Sequence, residues 1–292
     1  RMFIFQNDWK VLPMAAVIAG LVAYVTGSNL FKNMEGTLTG SFALACVCIW
    51  NGFFNSIQVI CRERAIIKRE HRAGLHITSY VASHMLYQAL LCIAQALITI
   101  TVYRIVGTAF PQTGLLCSSF TLEFAITLFL ITYAADMMAL MVSAIARTTT
   151  AAMTVMPFLL IVQLVFSGGI FHLSGPVSEI QDLMISKWGI QSLCIEGNYN
   201  SLPMVSVWNN LFKMKNVEII PGYKVYDVLK TIEDEGKRDA ILYETAKQNQ
   251  NTTYAYTIDN FLVSWFRLIC FALFFAFVTV AFLEFIDKDK RQ

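Results

Sequence analysis

Charge is what this sequence has least of. Only 14% of its 292 residues are Asp, Glu, Lys or Arg, while 56% are hydrophobic and 13% aromatic; a soluble domain carries about a quarter charged residues. That balance excludes a soluble fold, and the formal net charge of +2 says less than where the charges lie. Catalytic signatures are missing too. No GxxxxGK followed by Ser or Thr is present, so the chain cannot cradle nucleotide phosphates by itself. There is no GxSxG: Phe166-Ser167-Gly168-Gly169 lacks the first glycine and follows an apolar helix, not a strand. No HExxH occurs, and His71 and His76 stand five apart, off a common helical face, so both read as interfacial. The seven cysteines are scattered, mostly in apolar runs where a thiol behaves as a small hydrophobe, and show no metal-ligand spacing. No pair of carboxylates with a nearby histidine marks an acid-base site. The few basic residues sit at the ends of apolar runs, which argues against nucleic acid as a partner. Any work this protein does draws its energy from elsewhere.

What the sequence has is apolar runs of membrane length. Six spans are expected, at residues 11–26, 37–60, 79–106, 118–146, 151–170 and 258–285, each near the length that crosses a hydrocarbon core of about 30 Å. Residues 2–9 read as an interfacial lead-in with Trp9 and Lys10 as anchors, and Arg1 in place of methionine suggests a piece of a longer chain. Between the second and third spans lies the densest run of charge, CRERAIIKREHRAGLH over residues 61–76, with Gly74 as its stop. By the positive-inside rule this loop is cytoplasmic. Lys10, Arg147 and the charged tail agree with it; Arg104 and Arg267 are the exceptions. Two readings of the run stay open: cations that set topology and touch anionic headgroups, or a docking surface for a soluble partner.

The expected fold class is therefore all-α integral membrane. Residues 1–170 hold five spans and an inner-surface helix at about 62–76. Residues 171–257 form a polar outer module with short helices near 223–232 and 237–247. Residues 258–292 hold the sixth span and a tail, with both termini cytoplasmic in a cell membrane. Gly36 and Gly40 make a GxxxG spacing that permits close helix approach. Asn51, Asn55 and Gln58 recur on one face of the second span beside Trp50 and Phe54, giving either an interhelical hydrogen-bond seam or a wet path. Glu123 is placed near the outer interface. Asp136 reaches water from neither end, which makes it an intramembrane acid. Cys117 and Cys194 both fall outside, so a bridge between them stays open. Asn251-Thr252-Thr253 is a glycosylation sequon.

The order of these features resembles the membrane half of an ABCG-type (White subfamily) ABC exporter. The resemblance is carried by ERAIIKREHRAGLHITS at residues 63–79, by Ser143-Ala144-Ile145-Ala146 through Ala151-Ala152, and by Pro157-Phe158 and Phe166-Ser167-Gly168-Gly169. It implies two such halves around one pathway, each coupled to a nucleotide-binding ATPase domain that carries the ATP and Mg; no cofactor belongs to this chain. It implies that Glu63, Lys68, Arg69, Glu70, Arg72 and Gly74 serve the coupling. Asn51, Phe54, Asn55 and Gln58, with Thr154, Pro157, Phe158 and Ile161, would face the path, and Phe166 would form an apolar plug. Residues 171–257 exceed that family's usual re-entrant segment. Two other classes stand beside the exporter: a secondary transporter or channel using Asp136 for coupling, and a membrane receptor whose outer module binds a partner.

Overall fold

The structure, a computed structural model, describes residues 11–169, 175, 177–220 and 223–285. The lead-in at residues 2–9, its anchors, the turns at 176 and 221–222 and the charged tail lie outside the described residues. The fold is a helical bundle with a small cap at one end. Its long helices are α1 (Val11–Thr26), α2 (Met34–Ser56), α3 (Val59–Arg72), α4 (Ile77–Val106), α5 (Phe120–Ile145) and α6 (Thr149–Val165). The short α7 (Val177–Gln181) and α8 (Ile185–Glu196) follow, then α9 (Ser206–Lys213), α10 (Val225–Asp234) and α11 (Arg238–Gln248). The closing helix is α12 (Ile258–Glu284). A two-stranded antiparallel ribbon, β1 (Glu218–Ile220) with β2 (Tyr223–Lys224), precedes α10.

Among the described residues, four helices are long and apolar enough to cross a membrane by length and composition: α2, α4, α5 and α12. The apolar α1 and α6, of 16 and 17 residues, are shorter. At 1.5 Å per residue they reach roughly 24–26 Å. Side-chain caps set several starts. Asn33 accepts from the Gly36 amide at α2, Thr148 from Ala151 at α6, and Thr257 from Asn260 at α12, each satisfying a donor that the first helical turn leaves over. Helix α4 stops on Gly107 at φ +85°, a left-handed position that suits glycine.

The helices alternate in direction. Thr26 at the end of α1 meets Tyr103 at the end of α4, and α2 begins at that same end. We call this the module end and the opposite one, which carries α3, the basic end. The tightest seam joins α2 to α5. A Cβ on Gly52 would stand 2.4 Å from the Thr132 carbonyl oxygen and 2.7 Å from the Asp136 amide. Glycine here lets two backbones touch, the packing that lipid-embedded helices favour. Gly36 and Gly40 instead face Asn29, Asn33 and Leu30 of the preceding loop, so their spacing serves a turn and not a helix pair.

The module end is closed by aromatic rings. Phe31 packs edge-on to Phe120 and Phe124 at 5.4 and 5.9 Å, with Phe110 beside them. Phe31 takes φ 61°, a costly backbone for a bulky residue, while its amide donates to Thr37 Oγ1 and its ring lies against Gly197. Glu123 is fully buried, its carboxylate accepting from the amides of Leu115, Leu116 and Cys117. It holds the 107–119 loop and does not meet solvent.

Within residues 171–257 the structure distinguishes two parts. Helix α8 packs into the bundle against α2, α5 and α12, with Ile185, Leu193, Cys194 and Ile195 all buried. Its mixed composition hid a helix whose polar residues Ser186, Gln191, Ser192 and Glu196 are buried along with its apolar ones. Helices α9–α11 form a separate small core of Trp208, Val225, Leu229 and Leu242. One carboxylate ties this cap to the bundle: Glu35, in the first turn of α2, accepts from the amides of Val205 and Ser206 at 3.2 and 2.7 Å, capping α9. Cys117 and Cys194 are both free thiols.

Candidate functional site

Helix α3 follows α2 after only Ile57 and Gln58, both still in right-handed helical geometry. Gln58 supplies no side-chain cap to the new helix. The missing acceptor comes from another helix: Ser143 Oγ, near the end of α5, accepts from the amides of Ile60 and Cys61, each at 3.1 Å. The exchange runs both ways. The Cys61 thiol donates to the carbonyls of Ser143 and Ala146 at 3.0 and 3.4 Å, and Arg64 Nη1 donates to those of Ala144 and Ala146 at 2.9 and 3.1 Å. Helix α5 thereby finds donors for the carbonyls its last turn leaves open, one of them cationic at the negative end of the helix. Two helix ends complete each other, and α3 is bolted to the spanning bundle.

The opposite edge of α3 is fixed to α4. Tyr80 donates to Glu63 Oε2 at 2.8 Å, and His84 Nε2 lies 3.8 Å from the same oxygen. Ile60, Cys61 and Ile67 are buried while Arg62, Ile66, Arg69, Glu70 and Arg72 are exposed. The helix therefore shows a charged outer face with Ile66, 48% exposed, at its centre. It stops at Gly74, φ +100° with open space around it, so glycine is needed there for conformation and not for room. Of the expected coupling residues, Arg69, Glu70, Arg72 and Gly74 lie on the exposed side, Lys68 is half-buried, and Glu63 is turned inward.

Above α3, inside the bundle, lies a polar seam. Asn55 and Gln95 exchange two amide hydrogen bonds, at 3.0 and 2.9 Å, linking α2 to α4. Asp136 of α5 is fully buried next to them, its Oδ2 accepting from the Cys92 thiol at 3.4 Å while Oδ1 has no hydrogen-bond partner. Asn51 is buried on the same side. The expected polar face thus splits: its asparagines turn into the bundle, and Trp50 and Phe54, edge to face at 6.2 Å, turn out. Gln58 accepts from Arg62. On α6, Thr154, Pro157, Phe158 and Ile161 are all exposed, Phe158 by 68%, and Phe166 at its end is half-buried. The structure brings the asparagines together with Asp136, and places the α6 residues on an outward apolar face. Sequence reasoning did not single out Gly52, Cys92, Gln95 or the Glu35 and Glu123 clasps. In the sequence Ser143 stands out only as part of the Ser143-Ala144-Ile145-Ala146 motif. Among the described residues no cluster of His, Cys, Asp and Glu is arranged to hold a metal ion.

These features define a multi-helix membrane domain with a charged helix locked beneath it. The comparisons with known proteins sharpen the class: residues 3–195 match the ABC-2 type transporter family, and the chain belongs to it. It is also similar to an ABC transporter ATP-binding/permease protein of Mycobacterium tuberculosis, 30% identical over 144 residues, which is 48% of this chain and 16% of that protein. The chain thus spans about a sixth of the length of that relative. The protein is a membrane transport component of the ABC-2 kind, homologous to an ABC transporter permease.

Proposed function

We propose that this chain is the permease half of an ATP-driven exporter of the ABCG type, paired with a second copy or a homologous half. Helix α3 receives the movement of a nucleotide-binding domain that carries ATP and Mg. The observation that carries the reading is the reciprocal bolt between α3 and α5. A force on the charged face reaches a spanning helix through Ser143, Cys61 and Arg64, because neither helix end keeps its hydrogen bonds if they part. In this reading α3 and both chain ends lie in the cytoplasm. The outward apolar faces of α2 and α6, with Phe54, Phe158 and Ile161, meet their counterparts across the path, and Phe166 stands above as its plug.

The test uses the complete complex with its ATPase in proteoliposomes. Arg69→Ala and Glu70→Ala lower ATP-driven transport while insertion and unfolding midpoint stay unchanged; each 1.4 kcal/mol of lost docking corresponds to about tenfold in association. Unaltered coupling in both variants counts against the docking role. A second reading has one observation in its favour, the buried Asp136 with an oxygen that no group satisfies, since intramembrane acids mark proton paths. Transport driven by a pH gradient without nucleotide, and lost in Asp136→Asn, would select it.

A further inference from the structure

At the module end, between the close of α6 and the turn that leads into α12, lies a cavity of about 580 Å³, within the usual range for small-molecule sites. It is not part of the α3 machinery or of the seam around Asp136. Its walls are rich in amides: Gln181, Gln191, Asn249 and Asn251. Two rings, Tyr199 and Tyr254, stand edge to face at 5.1 Å and also line it. Among the described residues its charges nearly cancel: Lys187 pairs with Asp182, which leaves Glu179. Such a lining offers little to an anion and holds no cluster of carboxylates for a metal.

Two observations mark it as built to receive a ligand. Gln191 is only 6% exposed, yet its Oε1 has no hydrogen-bond partner, an arrangement that costs about 1–3 kcal/mol unless something satisfies it. Asn251 is held in place by an exchange of hydrogen bonds with Asn200, at 2.9 and 3.0 Å, and its Oδ1 accepts from the Thr253 amide at 2.9 Å. These contacts fix the orientation of a side-chain amide that lines the cavity. A side-chain amide places an acceptor beside two donors, the match for neighbouring hydroxyl groups, and aromatic faces pack against the C–H faces of a sugar ring.

We propose that this cavity binds an uncharged, polyhydroxylated group: a sugar, free or as the headgroup of a lipid. The intact complex, purified in a polyoxyethylene detergent that carries no sugar, is tested without nucleotide, so the outcome is independent of ATP-driven transport. Maltose is the free probe, followed by equilibrium dialysis. A diglucosyl diacylglycerol in phosphatidylcholine nanodiscs is the lipid probe, with phosphatidylcholine alone as the blank. Saturable binding is expected, weakened about tenfold in Gln191→Leu and in Thr253→Val, which takes an exposed hydroxyl from a residue of the cavity wall, each the loss of one well-made hydrogen bond. Binding of the glycolipid alone assigns the site to a membrane headgroup, and binding of maltose assigns it to free sugar. Should Gln191→Leu shift the unfolding midpoint, the exposed Thr253→Val decides. Absence of saturable binding for both probes, or wild-type binding in the decisive variant, overturns the proposal.

Discussion

Replacing Ser143 by alanine tests the junction on which force transfer depends. The substitution removes the acceptor shared by the Ile60 and Cys61 amides and leaves the backbone of α5 untouched. Loss of a helix cap costs about 0.5–2 kcal/mol. With two donors affected, the upper part of that range applies, a factor of roughly 5–30 in the opening equilibrium. The Cys61 thiol and Arg64 keep their carbonyl partners, so α3 stays docked and only its first turn frays. Hydrogen exchange in the intact complex should show amides 59–63 opening faster by that factor, with the middle of α4 unchanged. Thr279→Ala is the control. Its hydroxyl returns to the Phe275 carbonyl inside α12, so its removal leaves α3 alone. Unchanged exchange at 59–63 in Ser143→Ala refutes the interhelical cap, and equal acceleration in both variants shows a global effect in place of a local one.

Gly52→Ala should lower the unfolding midpoint in detergent, by the equivalent of about 1–3 kcal/mol, because the new methyl meets backbone and not a side chain that can move; a neutral result there removes the close-contact account of the α2–α5 seam. Gly74→Ala meets no atom and costs about 1 kcal/mol through its positive φ alone, so restoring a left-handed-tolerant residue with Gly74→Asn should recover part of the loss. Glu196 closes α8, a helix too short to span, and is buried beside Thr127, which donates to it. Burial, with the Glu123 carboxylate nearby, pushes its pKa well above the ordinary value of 4.5. A raised folded-state value means that its contribution to stability is complete below about 4.5 and is lost as pH rises through the folded value; Glu196→Gln should therefore flatten the alkaline side of the stability profile. Burial also pushes the Cys194 thiol up to about 12, so maleimide should reach Cys194 only after denaturation, with labelling of the native protein at this position counting against its burial.

Long apolar runs were legible because lipid leaves a helix little choice: α1 appears at the residues its hydropathy marks, and α3 ends where Gly74 stops it. The polar contacts were less so, for reasons that differ by residue. Asn51 and Asn55 were visible as a polar face, but whether that face looks into the bundle or onto a path depends on how α2 is rotated, and Gly52 sets that through a contact with α5. Glu123 looked like an interface residue because a carboxylate near a span end usually reaches water; only the folded 107–119 loop brings three amides to it. Helix α8 was hidden by averaging, since only half of its twelve residues are apolar and they sit among polar neighbours. In each case the missing information is a contact between segments far apart in sequence.

Helix α6 differs from its neighbours in how it is held. Met156, Leu160 and Gln163 form its buried edge, and the opposite side, through Phe158 and Ile161, is apolar and uncovered. Its ends are fixed unequally. At the basic end a short turn beginning at Ala146 joins it to α5, the helix that also grips α3. At the module end Gln163 does two things at once: its Oε1 accepts from the Ser186 amide at 3.2 Å, and its backbone carbonyl accepts from the Ser186 hydroxyl. Between these anchors Pro157 has no N–H to give Met153, a place where a helix bends at low cost. A displacement of α5 at the basic end therefore enters α6 directly, while the Gln163 clasp holds its far end to α8, leaving Pro157 to absorb the difference. Pro157→Ala supplies the missing hydrogen bond and should stiffen this segment. The expected result is a protein with an unchanged or higher unfolding midpoint and slower ATP-driven transport; full transport with a higher midpoint would mean that α6 moves as a rigid rod.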